Sequence, residues 1–172
     1  MTDDQLKDRI AQVALLHGDF TLRSGRKSKY YLDKYLFATQ PDILAALAKQ
    51  YAQQVTPDID RLAGPELGGI PLVTATALET GLPMVLIRNA KKDYGTAKQF
   101  EGTLNPGDTV MITEDIATTG GQSIEAAKML TEMGVHVARI VVVIDREEGA
   151  RENIEQAGFA FVSLMTKSDL GI

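Results

Sequence analysis

The sequence predicts an α/β fold with a mainly parallel central sheet, and three features predict it. Short apolar runs of strand length, among them Met84–Ile87, Val110–Ile112 and Ile140–Ile144, alternate with longer stretches of helical periodicity. The runs are apolar at consecutive positions rather than at every second one, as befits strands covered by helices on both faces. Charged residues follow them directly: Arg88, the pair Glu114-Asp115 and the pair Asp145-Arg146. Ligands of open α/β sheets bind at the carboxyl ends of strands, so these residues are the first candidates for a site.

The chain opens on Thr2-x-x-Gln5, the spacing of a capping box, followed by Leu6, Ile10, Val13 and Ala14 at helical spacing. Gly18 is expected to stop this helix, leaving His17 at its end as a structural cation beside the dipole. Ser24-Gly25 marks a turn, and the aromatic-rich stretch from Tyr30 to Phe37 reads as a strand or hairpin arm. Arg23, Arg26, Lys27 and Lys29 make this hairpin basic, which suits either a solvated face or a ligand contact. Pro41 to Val55 is an amphipathic helix with Leu44, Leu47, Ala48, Tyr51, Ala52 and Val55 on one face, and Pro41 fits its first turn. Arg61 to Ala63 is a short strand, and the glycines of GPELGGIP (64–71) let backbone approach backbone or a ligand closely.

The helix from Ile70 to Thr80 is apolar nearly all round and is expected to be buried, with Gly81 and Pro83 ending it. After the strand Met84–Ile87, residues 88–102 are polar, glycine-containing and aperiodic, the pattern of a mobile loop or lid. Arg88, Lys91, Lys92 and Lys98 concentrate positive charge there, in a chain of net charge −5, and so suit a polyanionic ligand. A helix follows from Ser123 to Met133. Ile140–Ile144, the most apolar run, is expected at the centre of the sheet. His136 stands at the amino end of that strand, away from the chemistry. Phe159 to Met165 is the last strand.

Composition narrows the function. The 172 residues fit one domain, and 44% hydrophobic with 24% charged residues is the balance of an ordinary soluble globule. The net charge argues against a broad nucleic-acid-binding face. With no cysteine, disulfides and thiolate chemistry are excluded, which fits a cytoplasmic protein. The start, MTDDQLKDR, is too acidic for a signal peptide, and no stretch approaches a membrane span.

The most informative stretch is VMITEDIATTGGQS, Val110 to Ser123. A buried strand ends in two carboxylates, and a turn of hydroxyls and glycines then leads into a helix. Backbone N–H groups of such a turn and the helix dipole attract an anion, and the threonines add donors. A phosphate alone would be repelled by Glu114 and Asp115. Adjacent carboxylates suit the vicinal hydroxyls of a ribose, directly or through Mg²⁺, so the stretch reads as a ribose 5-phosphate site. The competing reading is a βα turn with solvated acids, whose threonines and Ser123 merely cap the helix. No Gly-Lys-Ser/Thr follows and G-x-G-x-x-G is absent, so neither a P-loop nor a dinucleotide fingerprint applies.

This stretch resembles the phosphoribosyl-pyrophosphate (PRPP) motif of type I phosphoribosyltransferases, a hydrophobic run followed by two acids and TTGG or TSG. Residues 20–31 resemble the N-terminal hood of the orotate branch through Phe20, Leu22, Ser24, Gly25, Ser28, Tyr30 and Tyr31. Lys29 replaces the usual proline there, and Arg23 stands where that branch has a substrate-contacting lysine. Residues 88–102 are similar to its flexible catalytic loop at Arg88, Lys92, Asp93, Tyr94, Gly95, Glu101 and Gly102. Asn89 takes the place of a frequent second lysine, and Tyr94 that of a frequent histidine. Gly68 stands where some members have a lysine, and Arg146 where they have an arginine that touches orotate.

The resemblance implies a type I phosphoribosyltransferase fold with a small N-terminal hood. It implies one domain over 1–172, comprising a hood with the N-terminal helix (1–38) and an α/β core (39–167) that carries the flexible lid 88–102. The implied activity is orotate phosphoribosyltransferase in UMP biosynthesis: orotate plus PRPP giving orotidine 5′-phosphate and pyrophosphate. PRPP would be bound by Glu66, Leu67, Gly68, Arg88, Asn89, Lys92, Tyr94, Glu114 and Asp115, and by the cradle Ile116, Ala117, Thr118, Thr119, Gly120, Gly121, Gln122 and Ser123. Orotate would be oriented by Arg23, Tyr30, Tyr31, Thr118 and Arg146. Lys92, Arg88 and Asp115 are the catalytic candidates. Mg²⁺ is expected to arrive through PRPP, with no ligand set of the protein's own. A homodimer whose lid reaches across the interface is also implied, with no nucleic-acid or membrane partner. Two alternatives stay open: a phosphoribosyltransferase for another nucleobase, and a non-catalytic PRPP-sensing regulator.

Overall fold

The computed structural model describes residues 1–21, 25, 27–89 and 99–172. Helix α1 (Asp3–Ala14) carries the expected capping box: Gln5 N–H donates to the Thr2 hydroxyl at 3.3 Å, and Thr2 N–H donates to Gln5 Oε1 at 2.9 Å. It ends four residues before Gly18. Leu15–Thr21 forms β1 instead, pairing antiparallel with β2 (Lys27–Leu32), so strand pairing takes over before the glycine is reached. His17 consequently lies opposite Tyr30 in this hairpin and not at a helix terminus.

The aromatic run after Tyr30 also divides. Asp33 accepts from Tyr35 N–H at 3.0 Å and caps a short helix, α2 (Lys34–Ala38), which buries Phe37. Helix α3 (Pro41–Ala52) follows with Pro at its start and buries Ile43, Leu47, Ala48 and Tyr51. The chain then alternates as expected: β3 (Arg61–Pro65), α4 (Gly69–Thr80), β4 (Met84–Ile87), the short β5 (Phe100–Glu101), β6 (Thr109–Ala117), α5 (Gly121–Glu132), β7 (His136–Asp145), α6 (Ala150–Gln156) and β8 (Phe161–Thr166). A 3-10 turn, Ser168–Leu170, closes the chain, and Asp169 ties it to α1 through Lys7 at 3.0 Å.

Six strands form one sheet in the order β5-β4-β3-β6-β7-β8, parallel except for β5. Alternate residues of β7 enter different cores. Val141 and Val143 join Leu6, Ile43, Leu47 and Leu72 on the side of α1, α3 and α4, whereas Ile140 and Val142 join Ala126, Leu130 and Ile154 beneath α5 and α6. That two-sided burial explains the unbroken apolar runs. β7 is flanked on both edges and buried from Ile140 to Asp145, yet the middle of the sheet is β3–β6, one place away.

Helix α4 is not buried all round. Leu72, Val73 and Thr76 face the core, but Leu78 is 84% exposed, because the sheet and α3 cover only one side. Among the described residues, no helix is long and apolar enough to cross a membrane.

Candidate active site

The carboxyl ends of β4, β3, β6 and β7 meet because these strands are parallel neighbours in that order. After β3, Glu66 N–H donates to Ile87 O at 2.8 Å and the Glu66–Leu67 peptide is cis. The Glu66 carboxylate reaches past the end of β4 to accept from Asn89 N–H at 2.6 Å, tying the two loops together. Arg88 continues β4, its N–H donating to Gln99 O at 2.9 Å, and its guanidinium stands 4.0 Å from Glu101.

β6 supplies the acids and the cradle. Gly120 has a left-handed φ of 79°, and a Cβ built there would come within 2.8 Å of Ile154. Glycine is therefore required twice over. Asn153 braces the turn by donating to Thr119 O at 2.9 Å. Helix α5 starts after Gly120, which offers no side-chain cap. Glu114 and residues 116–123 line a cavity of about 440 Å³. A narrower cleft of about 40 Å³ holds Glu66, Arg88 and Asn89, and Glu114 and Gln122 line both spaces. The turn of residues 116–123 thus shares Glu114 and Gln122 with a cleft that Arg88 lines.

Adjacent in sequence, the two acids have different partners. Glu114 is buried, and its Oε1 accepts from Asp115 N–H at 3.1 Å. Burial first, and the nearby Asp115 second, push its carboxyl up to about 8. Tyr51 fixes the backbone beneath it by donating to Glu114 O at 2.7 Å. The Asp115 side chain is 1% exposed; its Oδ1 accepts from Ile116 N–H at 2.6 Å, and its Oδ2 lies over Gly68. Lys34, from α2, donates to Oδ1 at 3.2 Å and lies 3.0 Å from Oδ2. Partial burial works against the Lys34 ammonium, but Asp115 outweighs it and raises its pKa.

The family described as Phosphoribosyl transferase domain matches residues 37–162. The orotate phosphoribosyltransferase of Pyrococcus horikoshii is 44% identical over 173 residues, covering 99% of this chain and 93% of its own. That of Halobacterium salinarum is 45% identical over 169 residues, with 98% and 96% covered. The chain belongs to the orotate phosphoribosyltransferase family. Its fold is the type I phosphoribosyltransferase fold: the Mycobacterium tuberculosis H37Rv orotate phosphoribosyltransferase in complex with Fe(III) dicitrate superposes with a TM-score of 0.89 at 28% identity, covering 99% of each chain. The same enzyme in complex with PRPP gives 0.85 at 26% identity, again over 99% of each.

For this member of the orotate phosphoribosyltransferases, the expected residues fall into four groups. Glu66, Arg88, Asn89, Glu114, Ile116, Ala117, Thr118, Thr119, Gly120, Gly121, Gln122 and Ser123 line the two joined spaces. Leu67, Gly68, Asp115 and Arg146 border them; Arg146 N–H donates to Ala117 O at 2.9 Å, and its Nε pairs with Glu148 at 3.2 Å rather than with Asp145 or Glu147. Tyr30 and Tyr31 lie in the β1–β2 hairpin, where Tyr31 stacks at 5.7 Å on Phe20 and is 43% exposed. Arg23, Lys92 and Tyr94 lie outside the described residues, as does most of the expected lid. Lys34 was invisible in the sequence, because the run around it reads as a strand and its partner stands 81 positions away.

Proposed function

We propose that this chain transfers the ribose 5-phosphate of PRPP to orotate, giving orotidine 5′-phosphate and pyrophosphate in pyrimidine biosynthesis in the cytoplasm. The continuity of the cradle with the Glu66–Arg88 cleft carries the reading, because PRPP has a phosphate at one end and a diphosphate at the other. Full-length similarity to orotate phosphoribosyltransferases supports the choice of base.

In this reading residues 116–123 grip the 5′-phosphate through backbone N–H groups and the Thr118 and Thr119 hydroxyls. Glu114 and Asp115 receive the ribose hydroxyls, and the negative charge of the Asp115 carboxylate, paired with Lys34, lies below C1 as positive charge develops there. Arg88 and Lys92 neutralise the departing pyrophosphate, while main-chain groups of Glu66, Leu67 and Gly68, with Asn89 and Tyr94, complete its site. Arg146, Thr118, Arg23 and the backbone around Tyr30 and Tyr31 orient orotate.

Mg²⁺ fits as an ion carried by the diphosphate. Asp115 is already engaged by Lys34, and among the described residues no group of three His, Cys, Asp or Glu side chains is disposed to hold a metal. When bound, the ion neutralises diphosphate charge. A homodimer is part of the proposal, as membership of the family suggests.

Loss of orotate absorbance on mixing with PRPP and Mg²⁺, with uracil, adenine and hypoxanthine in parallel, tests the reading. Orotate-selective turnover is expected. Turnover of another base alone would discard the base-site assignments, and PRPP binding without any turnover would favour a regulator.

A further inference from the structure

Asp115 is held from three directions. Its own strand donates Ile116 N–H to Oδ1 at 2.6 Å, Gly68 leaves room for Oδ2, and Lys34 supplies a cation 3.0–3.2 Å away. Lys34 is itself well anchored. Asp33, just before it, donates its N–H to Ala14 O at 2.9 Å and caps α2 through Tyr35 N–H, and the ammonium sits 5.4 Å from the Tyr35 ring centre. This is a fixed charge delivered to one carboxylate, not a surface side chain that meets an acid by chance.

The carboxylate needs it. Asp115 is 1% exposed and follows a second buried acid, Glu114, and a buried carboxylate left without a counter-charge is strongly destabilising. Its Oδ2 is buried and accepts no hydrogen bond among the described residues, although Nζ is near. An oxygen paired with Nζ keeps a second lone pair, which can accept from a ligand hydroxyl.

We propose that Lys34 is a positioning residue for PRPP: it keeps the Asp115 carboxylate seated over Gly68 as an acceptor for a ribose hydroxyl, and does so without touching PRPP. This rests on the reading of Asp115 as a ribose-binding acid. Lys34 acts through Asp115, which makes the two substitutions non-additive.

The test is calorimetric titration with PRPP and Mg²⁺ of the native protein, Lys34→Met, Lys34→Arg, Asp115→Asn and the double variant Lys34→Met/Asp115→Asn, with a melting curve for each. Lys34→Met is expected to weaken PRPP on the order of tenfold, the worth of a hydrogen bond to a charged group. Lys34→Arg keeps the charge and is expected within about threefold of native. In the Asp115→Asn background, Lys34→Met is expected to change affinity by less than about twofold. Equal losses in both backgrounds would overturn the proposal, because Lys34 would then act on PRPP directly. Native affinity in Lys34→Met would overturn it too. Should Lys34→Met fail to fold, Lys34→Arg decides: a loss as large as that of Asp115→Asn rules out positioning by charge. An Asp115→Asn variant with unchanged affinity would instead remove the ribose assignment beneath it.

Discussion

The carboxylate of Asp115 occupies the space that a side chain at position 68 would need. A Cβ built on Gly68 overlaps Oδ2, so the loop after β3 and the end of β6 fit together only with glycine there. Position 68 is not in a left-handed conformation, so the requirement is one of space and not of backbone freedom.

Gly68→Ala should therefore act on the acid. The methyl group displaces Asp115 from Lys34 or distorts the loop, and overpacking of this kind costs about 1–3 kcal/mol. Urea unfolding is expected to show that loss, and PRPP titration a fall in affinity on the order of tenfold or more. Native stability and native affinity together would mean that the loop yields freely, and that the contact between 68 and 115 sets nothing.

Glu114 makes a pH-dependent contribution of definite sign. Its folded carboxyl titrates at about 8, against an ordinary value of 4.5. Below 4.5 both states hold the proton and nothing changes. Between the two values the folded protein holds more protons than the unfolded chain, so stability falls as pH rises through this window. Asp42, Asp108 and Asp169 are shifted downward by Arg9, by Arg61 and chiefly by Thr166 N–H respectively, and they produce the opposite slope only in acid. Glu114→Gln should gain stability relative to the native protein on going from pH 5 to pH 8.5, by on the order of 2 kcal/mol. Urea midpoints at the two pH values measure it. A constant difference would mean that Glu114 ionises as an ordinary carboxylate.

Tyr51 offers a contrast between structural and chemical roles. Its buried hydroxyl donates to the backbone oxygen of Glu114 at 2.7 Å, on the α3 side of the sheet. Tyr51→Phe leaves that oxygen without its partner and should cost about 1–3 kcal/mol. The turnover number should stay within about threefold, because no side chain of the site loses a partner. A hundredfold fall in turnover with intact stability would show that the hydroxyl tunes Glu114 in the reaction.

What the sequence disclosed follows from distance along the chain. The strand, turn and helix around Val110 to Ser123 were legible because they are contiguous in the chain. The α/β order was legible because β7 is buried on both faces and so is apolar without alternation. The pairing of Lys34 with Asp115 was not, since nothing local announces a contact across 81 positions. The divided run after Tyr30 misled for a different reason: aromatic residues favour strands, and only the Asp33 cap turns the chain into α2. Leu78 was expected inside, because apolar character alone does not tell a residue facing the core from one on an open face.

Substitution of Arg146 is expected to separate base binding from PRPP binding. Its backbone is joined to Ala117 at the start of the cradle, while its Nε is paired with Glu148 at 3.2 Å, which sets the direction of the guanidinium. Arg146→Met should raise the KM for orotate on the order of tenfold or more, as loss of a charge-assisted contact does, and leave PRPP affinity within about twofold. Steady-state kinetics with a parallel PRPP titration distinguish the two. A matched loss in PRPP affinity would mean that Arg146 supports the cradle and not the base.

Lys92 provides the sharpest test of how the leaving group is stabilised. Arg88 is fixed at the end of β4, with its N–H on Gln99 O and its guanidinium near Glu101, so in the proposed function it is placed to meet the diphosphate in the ground state as well as on departure. In the proposed function Lys92 has a different task, meeting the extra charge that gathers on pyrophosphate as the C1–O bond breaks. Removing an interaction made only in the transition state lowers kcat without changing ground-state affinity, whereas removing uniform binding weakens affinity and leaves kcat unchanged. Lys92→Ala should accordingly reduce kcat by on the order of a hundredfold or more, with the PRPP dissociation constant within about threefold. Arg88→Ala should weaken PRPP itself. Single-turnover rates and calorimetric titrations on the two variants give the comparison. A weaker PRPP affinity with an unchanged single-turnover rate for Lys92→Ala would make it a ground-state contact, and the acceleration would then have to come from elsewhere in the site.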